Sequence, residues 1–247
     1  MEQSLSHMRE EKAAVIIPVY NHAGTVVEVI RKAASLQVPI YVVDDGSTDD
    51  TAACIRNIPD ITVLRHPTNM GKGAALMTGF AAAAPVARWA VTIDADGQHN
   101  PQDAENLFRV VRSMERPIVV GCRQGMGDRH VPLASRFGRG FSNFWVRASG
   151  GPVMRDTQSG FRLYPLPEVL TLPVKARRFQ FEVEVLVRAA WKGIPVREAP
   201  VGVVYAPGKE RISHYRGFVD FWRNSVTFSS LIFYRWFLLP FNRLRGK

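Results

Sequence analysis

Two carboxylates one residue apart, Asp94 and Asp96, follow an apolar run over 89–93. That run reads as a buried strand, and the acids stand where it leaves the sheet. Side chains at i and i+2 of an extended segment project the same way, so both can face one point. Two like charges held that close need a counter-charge. A divalent cation supplies it: Mg²⁺ or Mn²⁺ takes hard oxygen ligands and fills its other positions with water or substrate phosphate. Gln98 offers a neutral oxygen at the next such position, and His99 is a further candidate ligand. The same letters also fit an acidic turn with an Asp cap on the helix after Pro101.

Other segments bear on the same chemistry. Asp44-Asp45-Gly46-Ser47 follows a second apolar run, 40–43. A carboxylate there can accept from a nucleobase N–H or from ribose hydroxyls, or it can cap the next helix. Asn69-Met70-Gly71-Lys72-Gly73 is a glycine loop opening a small-residue helix. Ala74 follows Gly73, so the Gly-x-x-x-x-Gly-Lys-Ser/Thr pattern fails, which argues against a P-loop ATPase. Lys72 near a helix N-terminus still suits a phosphate. Glu182 and Glu184, two apart on an expected helix, do not share a face and make a weak acid/base pair. The remaining histidines form no spaced cluster, which argues against zinc.

The elements that position these residues alternate. Strands are expected over 13–19, 40–43, 61–64, 89–93 and 118–122, with helices over 24–36, 49–58, 74–84 and 101–114 between them. That order specifies an α/β protein with a mostly parallel sheet flanked by helices. Ligands of such sheets bind beyond the carboxyl ends of the strands. The rule gathers Tyr20, Asn21, Asp44, Asp45, Asp94 and Asp96 at one edge. Further on, a helix over 132–148, a polar loop from Asp156 into a short strand, a helix over 179–191 and a strand region over 196–205 are expected.

A chain of 247 residues with 46% hydrophobic and 22% charged residues can bury one sizeable core, with or without an appendage. We read 1–12 as a flexible start without a signal-peptide core, 13–212 as the α/β domain and 213–247 as a basic, aromatic, amphipathic helical extension. Lys and Arg outnumber Asp and Glu by 32 to 22, a balance that favours anionic partners. The basic residues are scattered and no recognition motif accompanies them, so nucleic acid is not an expected partner. Cys54 and Cys122 lack metal-like spacing and read as buried free thiols of a reducing compartment. In the extension, Phe218, Phe221 and Trp222 share a helical face that Phe228, Ile232, Phe233, Trp236 and Phe237 prolong, among several arginines including Arg235. That composition suits an interfacial helix on anionic lipid. The apolar stretch 226–241 holds Arg235 and Pro240 and falls short of the roughly 20 residues of a membrane span. The expected location is cytoplasmic, peripheral at the inner face of the cytoplasmic membrane. Packing of the aromatics on the domain or on a second subunit is the alternative, and homo-oligomerisation is left open.

Five motifs in order resemble those of family 2 glycosyltransferases of the nucleotide-sugar-binding GT-A fold. They are Pro18-Val19-Tyr20-Asn21, Asp44-Asp45-Gly46-Ser47-Thr48-Asp49, the 69–73 loop, Asp94-Ala95-Asp96-Gly97-Gln98-His99, and Asp156-Thr157-Gln158-Ser159-Gly160-Phe161-Arg162. The last two are most similar to the polyprenyl-phosphate branch, the dolichol-phosphate mannose synthase-like enzymes. The resemblance implies that Pro18, Tyr20, Asn21, Asp44, Asp45, Lys72, Asp94, Ala95 and Asp96 bind the nucleotide of a sugar donor. It implies Mg²⁺ or Mn²⁺ on Asp94, Asp96 and Gln98, and it puts Asp156 beside the reacting centre. Arg123 and Arg136 would face phosphates of a lipid-linked acceptor, and Arg211 and Ser213 would lie in a loop over the site. His22 stands where the dolichol-phosphate type often has Glu, and His214 replaces a late-loop Lys. The implied reaction is metal-dependent inverting transfer from a UDP- or GDP-sugar to polyprenyl phosphate. Its rivals are transfer to a hydroxyl acceptor (a glycolipid or polysaccharide), nucleotidyl transfer, and a non-catalytic, membrane-peripheral binding module.

Overall fold

A computed structural model describes residues 8–112, 114–124, 133–203 and 217–238, with side chains except in 133–137, 217–221 and 238. The strands are β1 (Ala13–Val19), β2 (Ile40–Asp44), β3 (Ile61–Arg65), β4 (Trp89–Thr92), β5 (Ile118–Arg123), β6 (Arg162–Pro165) and β7 (Val196–Val201). The helices are α1 (Val26–Ala34), α2 (Thr51–Ile55), α3 (Lys72–Ala83), α4 (Ala104–Arg109), α5 (Leu133–Ala148), α6 (Phe181–Trp191) and α7 (Gly217–Phe233). The described strands form one sheet in the order β3-β2-β1-β4-β6-β5-β7. Among them β6 alone runs antiparallel to its neighbours, β4 and β5.

The continuous apolar runs follow from burial of both sheet faces. Val15, Ile17 and Val19 of β1 pack with Val26 and Ile30 of α1 and Leu107 and Phe108 of α4 on one face. Ala14 and Ile16 pack with Leu76 and Phe80 of α3 and Phe181 and Leu186 of α6 on the other. The ordered packing reaches back to residue 8, since Met8 is buried in the first of these clusters and Glu11 accepts from the Trp89 indole at 3.0 Å.

Two helices are shorter than their periodicity suggests. The 101–114 segment starts as a 3₁₀ turn (Pro101–Asp103) and its α-helix ends at Arg109. Met114 then takes a left-handed φ of 67°, which turns the chain toward Pro117 and β5. α2 spans five residues and buries Thr51 and Ile55. So short a helix leaves Cys54 exposed, against the expectation of a buried thiol, while Cys122 is buried.

The C-terminal extension divides its faces. Asn224, Phe228 and Leu231 of α7 are buried, and the two apolar residues pack on Val146 of α5 and Val183 and Val187 of α6. Phe228 therefore belongs to the protein interior and not to the outward apolar surface. Arg235, in a π-helical turn (Tyr234–Leu238), donates to the Ala148 carbonyl at 2.8 Å, so it ties the extension to the end of α5. Trp222, Val226, Phe233, Trp236 and Phe237 are exposed. Among the described residues no helix is long and apolar enough to cross a membrane.

Candidate active site

The topology brings the candidate residues to one edge. β1, β2 and β4 are parallel, so Tyr20, Asp44 and Asp94 lie at or just past their carboxyl ends. β6 is reversed and starts there, with Arg162 paired to Thr92, so the loop from Asp156 to Phe161 reaches the same edge. β5 ends there at Arg123. The order of strands turns between β1 and β4, which opens a crevice at that point.

The two acids after β2 divide their work. Asp45 is buried and both its oxygens have partners: Oδ1 accepts from Met70 N–H at 2.9 Å and pairs with His66 Nδ1 at 2.7 Å, and Oδ2 accepts from Gly71 N–H at 2.7 Å. It therefore holds the 69–73 loop in place. His66 in turn reaches Thr78 Oγ1 at 2.9 Å. Asp44 differs. Its Oδ1 accepts from Ser47 N–H at 2.9 Å, and its buried Oδ2 finds no aligned hydrogen-bond donor among the described residues. Arg65 Nε lies 3.2 Å from Oδ2, close enough for charge attraction without hydrogen-bond geometry. An unmatched buried acceptor at a strand end is a site for a ligand N–H or O–H. Gly46 makes the turn between these acids and the loop, with φ 72° and the Thr68 backbone only 2.4 Å from where a Cβ would sit.

Asn21 stitches the end of β1 to the loop after Ser47. Its φ is 53°, its side-chain oxygen accepts from Thr48 N–H at 2.8 Å and its own N–H donates to Ser47 Oγ at 3.0 Å. Pro18 is buried within β1, opposite Val43. Ala95 turns its methyl into the core, and its carbonyl accepts from Thr25 Oγ1 at 2.6 Å. Thr25, at the start of α1, makes no side-chain cap hydrogen bond and pins the peptide between the two acids.

Asp94 and Asp96 occupy unlike surroundings. Lys72 Nζ lies 2.6 Å from Asp94 Oδ1 and 2.6 Å from Glu182 Oε1. Burial pushes the Asp94 carboxyl up, and the Lys72 charge and hydrogen bond outweigh it, leaving it below its ordinary value. Burial likewise pushes Lys72 down, but Asp94 and Glu182 together hold it above its ordinary value. Asp96 goes the other way: burial, then the neighbouring Asp94 charge, raise it, with the Gln98 N–H at 3.0 Å a smaller opposing effect. Asp96 is thus a carboxylate short of positive charge. The helix after Pro101 is capped by Asn100, which accepts from Gln102 N–H at 3.2 Å, so neither acid serves as its cap. His99 is buried, stacked on Phe161 with ring centres 5.2 Å apart, and its Nδ1 has no hydrogen-bond partner among the described residues. Burial holds its pKa below the ordinary value.

Among the described residues no group of three or more His, Cys, Asp and Glu gathers as a metal cage. The donor set is two carboxylates with Gln98 next to them. That set fits a hard divalent cation whose remaining positions go to water and phosphate oxygens. The pair also depends on Gly160: a methyl there would lie 2.5 Å from Asp94 Oδ2 and 2.6 Å from Lys72 Nζ.

Asp156 is fully buried, and Arg123 grips both its oxygens. Nε meets Oδ2 at 2.7 Å and Nη2 meets Oδ1 at 2.9 Å. Arg162, also buried, rivets the same loop: it donates to the carbonyls of Ser159 (2.6 Å), Thr157 (2.9 Å) and Glu182 of α6 (2.7 Å). Of the other expected acceptor residues, Arg211, Ser213 and the Arg136 side chain lie outside the described residues. Sequence reading set aside Glu182, whose partner Lys72 is 110 residues away and leaves no local signal. Glu184 faces elsewhere, to Arg188 at 2.5 Å and the Ala176 N–H at 2.7 Å.

An edge that pairs acids with a nucleotide-type loop on this sheet defines a class, and comparison with known proteins gives the class its name. The chain belongs to glycosyl transferase family 2, whose model matches residues 14–163. It is a glycosyltransferase with the GT-A fold. A UDP-N-acetylglucosamine–dolichyl-phosphate N-acetylglucosaminyltransferase of Methanococcus voltae is 27% identical, over 96% of this chain and 99% of that protein. A polyprenol monophosphomannose synthase of Mycolicibacterium smegmatis is 28% identical, over 77% of each. Among solved structures, glucosyl-3-phosphoglycerate synthase of Mycobacterium tuberculosis with Mn²⁺, UDP and phosphoglyceric acid superposes with a TM-score of 0.69. It is 19% identical, over 95% of this chain and 81% of that one.

Proposed function

We propose that the protein transfers a sugar from a nucleoside-diphosphate donor, a UDP- or GDP-sugar, to the phosphate of a polyprenyl-type lipid, with inversion at the anomeric carbon. The observation that carries this reading is the Arg123–Asp156 fork. Asp156 is the carboxylate that the family resemblance puts beside the reacting centre, yet both its oxygens are committed to a guanidinium. A hydroxyl acceptor needs a base within hydrogen-bond reach, and a retaining double displacement needs an enzyme nucleophile. Asp156 so held offers neither. A phosphate monoester is already anionic and attacks unaided, and a planar guanidinium suits its oxygens. Transfer to lipid phosphates by the relatives from Methanococcus voltae and Mycolicibacterium smegmatis, as their names describe it, supports the same acceptor.

Each residue then has a task. Asp44 Oδ2 accepts from the base or ribose, while Asp45 and Asn21 hold the surrounding loops. Asp94 and Asp96, with Gln98, hold Mg²⁺ or Mn²⁺, which when bound neutralises the diphosphate leaving group. Lys72 keeps Asp94 ionised and oriented. Asp156 positions Arg123 toward the incoming phosphate. The exposed row Trp222, Val226, Phe233, Trp236 and Phe237, with exposed Phe144 of α5, lays the protein peripherally on the cytoplasmic membrane face near a lipid-linked acceptor.

A thermal-shift panel of UDP-glucose, UDP-N-acetylglucosamine and GDP-mannose, with and without Mn²⁺, tests the donor half. One donor should raise the midpoint by mass action, and more so with Mn²⁺. Equal midpoints across the panel would overturn the reading.

A further inference from the structure

We propose that Asn143, on α5, is a positioning residue for sugar transfer: it clamps the peptides on both sides of Asp156 and so fixes the Arg123 guanidinium toward the acceptor phosphate. The inference rests on the acceptor reading above. Asn143 Nδ2 donates to the Arg155 carbonyl at 2.8 Å. Its Oδ1 accepts from Thr157 N–H at 3.1 Å and from Thr157 Oγ1 at 2.8 Å. One side chain thus binds the residue before Asp156 and the residue after it. Ser142 reinforces the second contact, its Oγ lying 2.8 Å from the same Thr157 hydroxyl.

The opposite flank is held from β7. Glu198 Oε1 accepts from the Arg155 and Asp156 amides at 2.9 and 3.0 Å. The Asp156 backbone therefore sits between α5 and β7 while its side chain is forked on Arg123. An amide suits the α5 side because it offers donors and an acceptor together, where an ionised carboxylate only accepts. The same helix carries Phe141 and Trp145 against Phe228 of α7, each pair of ring centres 6.4 Å apart. The clamp therefore joins the Asp156 segment to the helix pair that bears the outward aromatics.

The test compares Asn143→Ala, Asn143→Asp, Asp156→Asn and the double variant Asn143→Ala/Asp156→Asn in the full chain. Transfer is measured from the donor of highest thermal shift to undecaprenyl phosphate. A misplaced reacting group costs up to about a hundredfold. We expect Asn143→Ala to lower kcat about tenfold or more, with donor affinity in Mn²⁺ within about twofold. Asn143→Asp keeps the contacts to Thr157 and should lose less. In the Asp156→Asn background, Asn143→Ala should cost less than about twofold, because a residue that acts through Asp156 has nothing left to position. Multiplicative losses in the double variant would overturn the proposal. If the wild type moves no sugar to lipid phosphate, the acceptor reading fails by itself, and the clamp is read by amide hydrogen exchange. Exchange at Thr157 should then rise about fivefold or more in Asn143→Ala, the scale of one lost hydrogen bond, with α5 amides unchanged. Unaltered exchange at Thr157 would refute it.

Discussion

Replacing Lys72 by Met tests the electrostatic frame of the site. The substitution keeps the chain length and removes the ammonium that lies 2.6 Å from both Asp94 and Glu182. Removing one partner of a buried ion pair costs about 3–5 kcal/mol. Escape by protonation sets a ceiling. A carboxyl of ordinary pKa, about 4.3, takes up a proton at pH 7 for about 3.7 kcal/mol, at about 1.36 kcal/mol per pH unit. The expected loss at pH 7 is therefore about 3 kcal/mol. For a chain of this size each kcal/mol moves the melting temperature by about 2–4 °C, so Tm should fall by about 6–12 °C. At pH 5 the same proton costs about 1 kcal/mol, and the deficit should shrink to about that figure. The sign agrees with the wild type. Asp94 is depressed in the folded state, so its contribution is present above the ordinary Asp pKa and is lost as pH falls through the folded value. Lys72 is raised, so its contribution is complete below the ordinary Lys pKa and is lost only as pH climbs through the higher folded value. Thermal melts in EDTA at pH 7 and pH 5 provide the assay. A deficit below about 1 kcal/mol at pH 7, or one equal at both pH values, would show that Lys72 does not balance the acids.

Three further outcomes follow from the same geometry. Donor binding measured by calorimetry should weaken about tenfold or more in EDTA, because Lys72 balances Asp94 but Asp96 otherwise faces the diphosphate without a counter-charge; undiminished affinity would remove the metal. Asp156→Asn should lower turnover at least about tenfold while donor affinity stays within about twofold, since Arg123 loses its anchor and the nucleotide contacts do not; a milder loss would end its role. Trp222→Ser/Trp236→Ser/Phe237→Ser should abolish flotation with vesicles containing anionic lipid, where the wild type floats; equal flotation of the two would detach α7 from the membrane. Point variants serve better than truncation, which would bare the side of α5 and α6 that Phe228 and Leu231 cover.

The sheet was legible because its cause is local. Strands buried on both faces write themselves as apolar runs, and helices between them fix parallel pairing. The edge of the site followed from that topology alone. Roles within the edge did not. Asp44 and Asp45 are adjacent and alike in sequence, yet one is spent on Met70, Gly71 and His66 and the other keeps an oxygen without an aligned donor. Glu182 looked inert because Lys72 meets it only through tertiary packing. The amphipathic pattern of α7 showed that it has an apolar side, but Phe228 and Trp222 are both apolar, and only packing decides which one faces inward. Cys54 was misread for a similar reason: its neighbours are apolar, but α2 is too short to bury it.

Transfer of labelled sugar to undecaprenyl phosphate bears most directly on the proposed reaction. Purified full-length protein would be incubated in detergent with Mn²⁺ and labelled UDP-glucose, UDP-N-acetylglucosamine or GDP-mannose. One donor should yield an organic-extractable, acid-labile lipid product of inverted anomeric configuration with equimolar nucleoside diphosphate. Label passing only to a hydroxyl-bearing acceptor, or release of pyrophosphate in place of nucleoside diphosphate, would contradict it.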